Sequence, residues 1–287
     1  MNNNKLTIQR ISLHTHFICN LKCRDCCVRA VEYEKPYNPT PEFLISEIDK
    51  LFSIIDGINY FAIEGGEPLL YKGLPAVLNH ILKYLDRINI EVPLITNGGF
   101  IPDEKLLFVL SRFENKIHII VDDYGPGKSS KVNEISALLK IKNIRCTIKD
   151  YSQNLYFGGW VDLYGDYDKK RTKKESKDLF QKCAWAQKLM GVVEVIGGCL
   201  FFCPSVRIFN EHGFDTSDGW IDMYDTSASN KDKKEIIKGW YEKDCFNACM
   251  YCNGIHDESE RFVPAIQLTP EELKKIRVNK NIYREQL

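Results

Sequence analysis

The sequence predicts an α/β fold built on a parallel sheet. Short apolar strands alternate with amphipathic helical segments through the first half of the chain, and each strand runs into a polar or glycine-rich loop. At 287 residues, the chain can bury a full core as one large domain, or as one domain with a smaller appendage. Alternating strands and helices imply βαβ units, whose functional loops follow the strand C-termini. A doubly wound sheet and a barrel both place sites there, so the pattern leaves the closure open.

Ile11 to Phe17 alternates apolar and polar residues and feeds a cysteine-rich loop. After Pro39, Thr40 and Pro41, the segment Glu42 to Ile55 carries Phe43, Leu44, Ile48, Leu51, Phe52 and Ile55 at helical spacing, with Thr40 as N-cap and Pro41 at N1. Tyr60 to Ile63 is a short strand ending in Glu64, Gly65, Gly66, Glu67 and Pro68, and a helical pattern follows from Leu74 to Leu85. Ile90 to Ile95 ends in Thr96, Asn97, Gly98 and Gly99 before a helix from Asp103 to Ser111. Ile117 to Val121 ends in Asp122, Asp123, Tyr124 and Gly125 before a helix from Lys131 to Leu139, and Ile144 to Ile148 is a fifth strand.

From Tyr151 to Asp178 the periodicity fades. Lys169, Lys170, Arg171, Lys173 and Lys174 read as a solvated connection, and Gly158, Gly159 and Trp160 either line a pocket or pack at its mouth. Cys183 and Trp185 fall at a helix end. Val192 to Ile196 and Cys199 to Cys203 read as a hairpin turned by Gly197 and Gly198. Phe209 to Asp232 is loop-rich, Lys233 to Tyr241 is helical, and Thr269 to Val278 reads as a terminal helix capped by Thr269, with Glu271 and Glu272 in its first turn.

Basic and acidic residues both number 39, so no global field favours a nucleic acid or an anionic membrane. Met1 to Lys5 lacks the sections of a signal peptide, and no apolar run is long enough to cross a bilayer, so the expected location is cytoplasmic. Eleven cysteines in a reducing compartment point to metal or redox chemistry rather than disulfides. They fall in two groups: Cys19, Cys23, Cys26 and Cys27 near the start, and Cys183, Cys199, Cys203, Cys245, Cys249 and Cys252 in the last third, with Cys146 alone between. This distribution suggests two metal sites.

Cys19, Cys23 and Cys26 lie close enough for one loop to wrap them onto a single centre. They could hold three irons of a [4Fe–4S] cluster and leave the fourth iron open. Zinc competes, although zinc sites usually add a fourth Cys or His. Cys27 reads as a small buried side chain rather than a ligand, and His14 and His16 as packing or pocket wall.

Three motifs in order, each after a strand, resemble the radical S-adenosylmethionine (radical SAM) superfamily: the loop of Cys19, Cys23 and Cys26; Gly65, Gly66, Glu67 and Pro68; and Thr96, Asn97 and Gly98. The resemblance implies a partial (βα)6 TIM-like barrel whose core occupies 1–150, with 151–182 completing the barrel and linking onward. S-adenosylmethionine would chelate the open iron through its amino and carboxylate groups. One electron would then cleave it to a 5′-deoxyadenosyl radical that takes hydrogen from substrate. The resemblance places Gly65, Gly66, Glu67, Pro68, Thr96 and Asn97 at the cofactor, with Glu67 near its ammonium, and implies an electron donor such as flavodoxin or ferredoxin. The position before the third cysteine, commonly aromatic in the family, is Asp25 here, which puts the usual adenine contact in doubt.

Cys183, Gly198, Cys203, Cys249 and Cys252 resemble the SPASM/Twitch accessory pattern, a small α+β region at 183–287 in which Cys183, Cys203, Cys249 and Cys252 would hold an auxiliary [4Fe–4S] cluster. Cys245 could replace one ligand, Cys199 reads as structural, and the ligand count favours the one-cluster Twitch form. Such a cluster suits removal of an electron from a substrate radical. The expected reaction is therefore a two-electron oxidation of a sugar- or cyclitol-like alcohol, with Asp122, Asp123 and Tyr124 as candidate bases. The alternatives are a peptide-modifying enzyme, which the short run before the first strand disfavours, and a non-catalytic electron carrier, which would not need the Gly65 to Pro68 motif.

Overall fold

The computed structural model describes residues 5–164, 168, 170–276 and 283–286. In chain order its main elements are β1 (Thr7–His14), α1 (Pro41–Ile54), β2 (Gly57–Glu64), α2 (Leu74–Ile81), β3 (Ile88–Thr96), α3 (Glu104–Ser111), β4 (Ile117–Asp123), α4 (Val132–Ile141), β5 (Cys146–Asp150), α5 (Lys173–Lys182), α6 (Ala184–Gln187), β6 (Val193–Ile196), β7 (Cys199–Phe201), α7 (Pro204–Glu211), β8 (Trp220–Asp222), α8 (Asn230–Trp240) and α9 (Pro270–Ile276). The expected terminal helix is present as α9; its continuation to Val278 lies outside the described residues, as does Lys169.

Among the described residues, one eight-stranded sheet runs β5-β4-β3-β2-β1-β6-β7-β8. The pairs from β5 across to β6 are parallel, and β6-β7 and β7-β8 are antiparallel. The sheet stays unclosed, with β5 and β8 as its edges, which is the partial form of the barrel. Its sixth parallel strand differs from expectation. The described residues of 151–182 add no ladder strand; β6 takes the place instead, registering Ile11 with Val193 and Leu13 with Val195. This covers the edge that β1 would otherwise leave unpaired.

Local chemistry accounts for the elements. Thr40 accepts the Phe43 N–H at 3.2 Å to cap α1, and Phe43, Leu44, Ile48, Leu51 and Phe52 form its buried stripe. Asp103 caps α3, and capping boxes start α5 (Thr172 with Glu175) and α8 (Ser229 with Asp232). Gly197 and Gly198 both have positive φ (60° and 84°), as a two-residue hairpin turn between β6 and β7 requires.

Among the described residues, two apolar clusters result. The large one fills the sheet and helix layers from Leu6 to Cys252. The small one lies around the first cysteine loop, where Leu21, Cys23 and Ala265 are buried against Cys19, Cys26, Tyr124 and Trp160.

Candidate functional site

The loop after β1 is held from both sides. The Gly66 N–H donates to His16 O at 2.6 Å and the Glu67 N–H to Ile18 O at 2.9 Å, so the β2 loop runs against the segment leading into Cys19. A Cβ on Gly66 would stand 2.2 Å from Ile18 O, and one on Gly65 would stand 2.5 Å from His16 O. Close approach of two backbones thus demands both glycines.

Glu67 joins this loop to the next. Its carboxylate accepts from Thr96 Oγ1 (2.8 Å), Asn97 N (2.7 Å) and Leu69 N (3.0 Å), and burial raises its pKa to about 7. The side chain expected to face a ligand ammonium spends its hydrogen bonds on the β3 turn. Asn97 carries the link onward, donating Nδ2 to Asn20 Oδ1 at 2.7 Å and lying 3.9 Å from Cys19 Sγ. Pro68 starts a 3-10 turn, Pro68–Leu70, and is buried behind the loop.

These loops open on a cavity of about 320 Å³. Its walls include Cys26, Gly65, Gly66, Glu67, Thr96, Asn97, Asp122 and Tyr124; of the residues predicted after the first four strands, Cys19, Cys23, Pro68 and Asp123 are not among its lining residues. Asp123 turns away and accepts the Gly125 N–H at 2.8 Å. Asp122 faces inward, as alternation along β4 dictates. Burial raises its pKa to about 6. Tyr124 Oη lies 3.4 Å from its Oδ2, while Oδ1 has no hydrogen-bond partner among the described residues.

Several features of this wall were not legible in the sequence. Cys27, expected to be buried, is exposed and lines the cavity. Asp25 adopts φ 58°, a left-handed conformation that Asp tolerates, and also lines it. The aromatic surface comes instead from Tyr124, Tyr151, Tyr156 and Trp160, linked by ring contacts of 5.2–5.6 Å. Gly159 and Trp160 are therefore pocket wall.

The second cysteine group also converges. Cys183, Cys203, Cys249 and Cys252 all line a smaller cavity of about 30 Å³ whose other walls are chiefly apolar, among them Leu179, Phe202, Val206 and Phe246. Cys199 and Cys245 are not among its lining residues. Trp185 and Leu163 line both cavities and so separate one from the other. Cys203 leads into α7, Ser205 Oγ lies 3.1 Å from Cys252 Sγ, and the Gly254 N–H donates to that sulfur at 3.2 Å. Arg171 corrects the reading of the basic run as a solvated connection: its N–H donates to Met250 O and its guanidinium to Cys252 O at 2.5 Å, bracing the last cysteine loop.

Both thiol sets fit iron–sulfur chemistry by donor type, since soft thiolates select such clusters over hard cations. Burial foremost, then repulsion from Cys26, pushes Cys23 up to about 12. Burial pushes Cys19 to about 11, and Cys203 lies well above its ordinary value through burial and the neighbouring Cys249, Cys252 and Cys183. Positive charge brought by a cluster offsets both effects. Among the described residues, no three Cys, His, Asp or Glu side chains gather tightly enough for a single metal ion.

Beneath the first loop lies a buried charge network that sequence reading missed. His14 Nε2 lies 2.8 Å from Glu194 Oε1; Arg207 donates to Glu194 at 2.6 Å, to Glu211 at 2.9 Å and to Val28 O at 3.1 Å. It ties α7 to the backbone just after Cys26 and Cys27. His16 stays neutral in its packing role: burial lowers its pKa to about 4, and its ring meets Tyr71 edge-on at 5.2 Å.

Among solved structures, the chain resembles BtrN in complex with AdoMet and 2-DOIA at 18% identity and a TM-score of 0.50, covering 92% of this chain and 100% of that one. It resembles anSMEcpe with bound AdoMet and Kp18Cys peptide at 19% identity and a TM-score of 0.51, covering 94% and 96%. Streptococcus suis SuiB bound to S-adenosylmethionine aligns at 15% identity and a TM-score of 0.41 over 52% of this chain, which spans only 37% of that protein. No curated protein sequence matches the chain. Among the described residues, no helix is long and apolar enough to cross a membrane. The sequence matches the radical SAM superfamily over residues 14–156, and with the three motif loops meeting at one cavity on this fold, the chain belongs to that superfamily.

Proposed function

We propose that this chain oxidises a small alcohol, such as a sugar or cyclitol, by two electrons. Cys19, Cys23 and Cys26 would hold the [4Fe–4S] cluster, and the loops of Gly65, Gly66, Thr96 and Asn97 would seat S-adenosylmethionine. Cys183, Cys203, Cys249 and Cys252 would hold the auxiliary cluster. When bound, these groups supply a 5′-deoxyadenosyl radical that removes a carbon-bound hydrogen atom, and an outlet for the electron left on the substrate.

The observation that carries the reading is the shared wall. The cavity holding the radical SAM motifs and the cavity ringed by four thiols meet at Trp185 and Leu163. The protein's own chemistry then falls to Asp122. Its carboxylate faces the cavity with one oxygen unpartnered among the described residues, and burial sets its pKa at about 6. Near neutral pH it is a carboxylate able to take a hydroxyl proton as the carbon is oxidised. Tyr124, 3.4 Å away, orients it. The aromatic wall of Tyr151, Tyr156 and Trp160 excludes water and offers faces to C–H groups of substrate. A flavodoxin or ferredoxin would serve as electron donor.

A second reading, modification of a peptide side chain, draws on the same aromatic wall and on anSMEcpe, whose structure on this fold carries a bound peptide. Product mass separates the two. The test is anaerobic reconstitution with iron and sulfide, then S-adenosylmethionine and dithionite, with 5′-deoxyadenosine and substrate mass as readouts. A loss of two mass units from an alcohol, roughly one per deoxyadenosine formed, supports the oxidation; absence of 5′-deoxyadenosine under all conditions sinks the radical reading.

A further inference from the structure

The three thiols of the first loop differ in where their hydrogen-bond donors originate. Cys19 takes a backbone N–H from Leu21, and Cys26 takes backbone N–H groups from Val28, Arg29 and Ala30, all within the loop; Asn97 Nδ2, from the β3 loop, lies at 3.9 Å from Cys19 Sγ. Cys23 takes its donor from the far end of the chain: Gln267 Nε2 lies 3.2 Å from Cys23 Sγ. The contact is built on backbone. Gln267 and Cys23 form an antiparallel bridge, flanked by Leu268 N–H to Lys22 O and Arg24 N–H to Ile266 O, each at 2.7 Å.

The amide orientation follows from its partners. Gln267 Oε1 accepts the Lys22 N–H at 2.7 Å, and Nε2 donates to Ala265 O at 2.9 Å, so the nitrogen is the end facing sulfur. Ala265, fully buried at φ 55°, packs with Leu21 and Cys23 and against Cys19 and Cys26, closing this side of the loop.

We propose that Gln267 sets the reduction potential of the centre held by Cys19, Cys23 and Cys26 by donating a hydrogen bond to the Cys23 sulfur, with the 265–268 segment as its mount. Hydrogen bonds to cluster sulfurs draw off electron density and stabilise the reduced, more negative state, so they raise the potential. The inference rests on those three cysteines being the cluster ligands.

The test uses full-length protein, reconstituted anaerobically, as wild type, Gln267→Leu and Gln267→Glu. Potentiometric titration is followed by the electron paramagnetic resonance signal that changes when S-adenosylmethionine is added. Gln267→Leu removes the donor, while Gln267→Glu keeps an acceptor for the Lys22 N–H and loses the N–H toward sulfur. Both variants are expected to keep wild-type iron and to show a more negative midpoint. An unchanged midpoint in Gln267→Leu overturns the proposal; if that variant loads iron poorly, an unchanged midpoint in Gln267→Glu does so. A wild type with no signal responsive to S-adenosylmethionine would instead remove the ligand assignment beneath it.

Discussion

The two cysteine sites differ in what surrounds them. The first presents three thiols on a loop beside a cavity of about 320 Å³ whose wall carries Asp122, Asn97, Thr96 and the peptide planes of Gly65 and Gly66. The second presents four thiols around about 30 Å³, closed by Leu179, Phe202, Val206 and Phe246. A centre with an unfilled position beside polar groups can bind and transform a ligand. A centre with all positions filled inside an apolar shell can only exchange electrons. On the proposed reading, the number of thiols and the room beside them would divide the same side-chain chemistry into two tasks.

The comparison breaks first at the open site. Replacing Cys19, Cys23 and Cys26 together with Ala is expected to abolish 5′-deoxyadenosine formation, measured by chromatography after dithionite reduction. Replacing Cys183, Cys203, Cys249 and Cys252 with Ala is expected to leave 5′-deoxyadenosine formation in place while oxidised product disappears; full product formation in that variant would remove the electron-outlet role.

Asp122→Asn sharpens the account of the open site. It is expected to slow product formation by roughly 10²–10⁴-fold, the usual contribution of a general base, with 5′-deoxyadenosine still formed. In wild type the product rate should rise as pH climbs through about 6, where Asp122 ionises. A profile flat across that range would assign the proton to another group.

A smaller effect concerns stability. Glu47 on α1 is fully buried behind the Gly197–Gly198 turn; Oε1 accepts the Gly198 N–H at 2.5 Å, Oε2 has no partner among the described residues, and burial raises its pKa to about 8. Its folded pKa lies above its unfolded one. Protonation therefore favours the folded state at low pH, and stability falls as pH rises from about 4.5 to 8, by up to about 1.4 kcal/mol per pH unit. Glu47→Gln keeps an acceptor for Gly198 and should flatten that slope in urea unfolding at a series of pH values. Smaller still, Arg171→Met removes the brace on Cys252 O and is expected to lower iron retention at the closed site alone.

The legible part of this molecule was its repeating part. Strand and helix periods located β1 through β5 to within a few residues, and the loops after β1 to β4 marked the wall of the open cavity because βαβ geometry collects strand ends on one side. The four thiols of the closed site were picked out by the resemblance to the SPASM/Twitch pattern. What escaped is non-local or breaks a pattern. Helix α7 places Arg207 and Glu211 in the interior, where an amphipathic reading expects apolar side chains. The pairing of β6 with β1, the union of His14 with Glu194, and the bridge from Gln267 to Cys23 join residues about 180 to 245 positions apart, and no local period encodes them.

The most direct test of the division into two centres is an iron and sulfide count on three anaerobically reconstituted proteins: wild type, the variant lacking Cys19, Cys23 and Cys26, and the variant lacking Cys183, Cys203, Cys249 and Cys252. Two independent [4Fe–4S] sites predict that each variant keeps about half of the wild-type iron, with only the second variant showing a signal that responds to S-adenosylmethionine. Loss of all iron from either variant, or full iron in the variant without the four later cysteines, would contradict it.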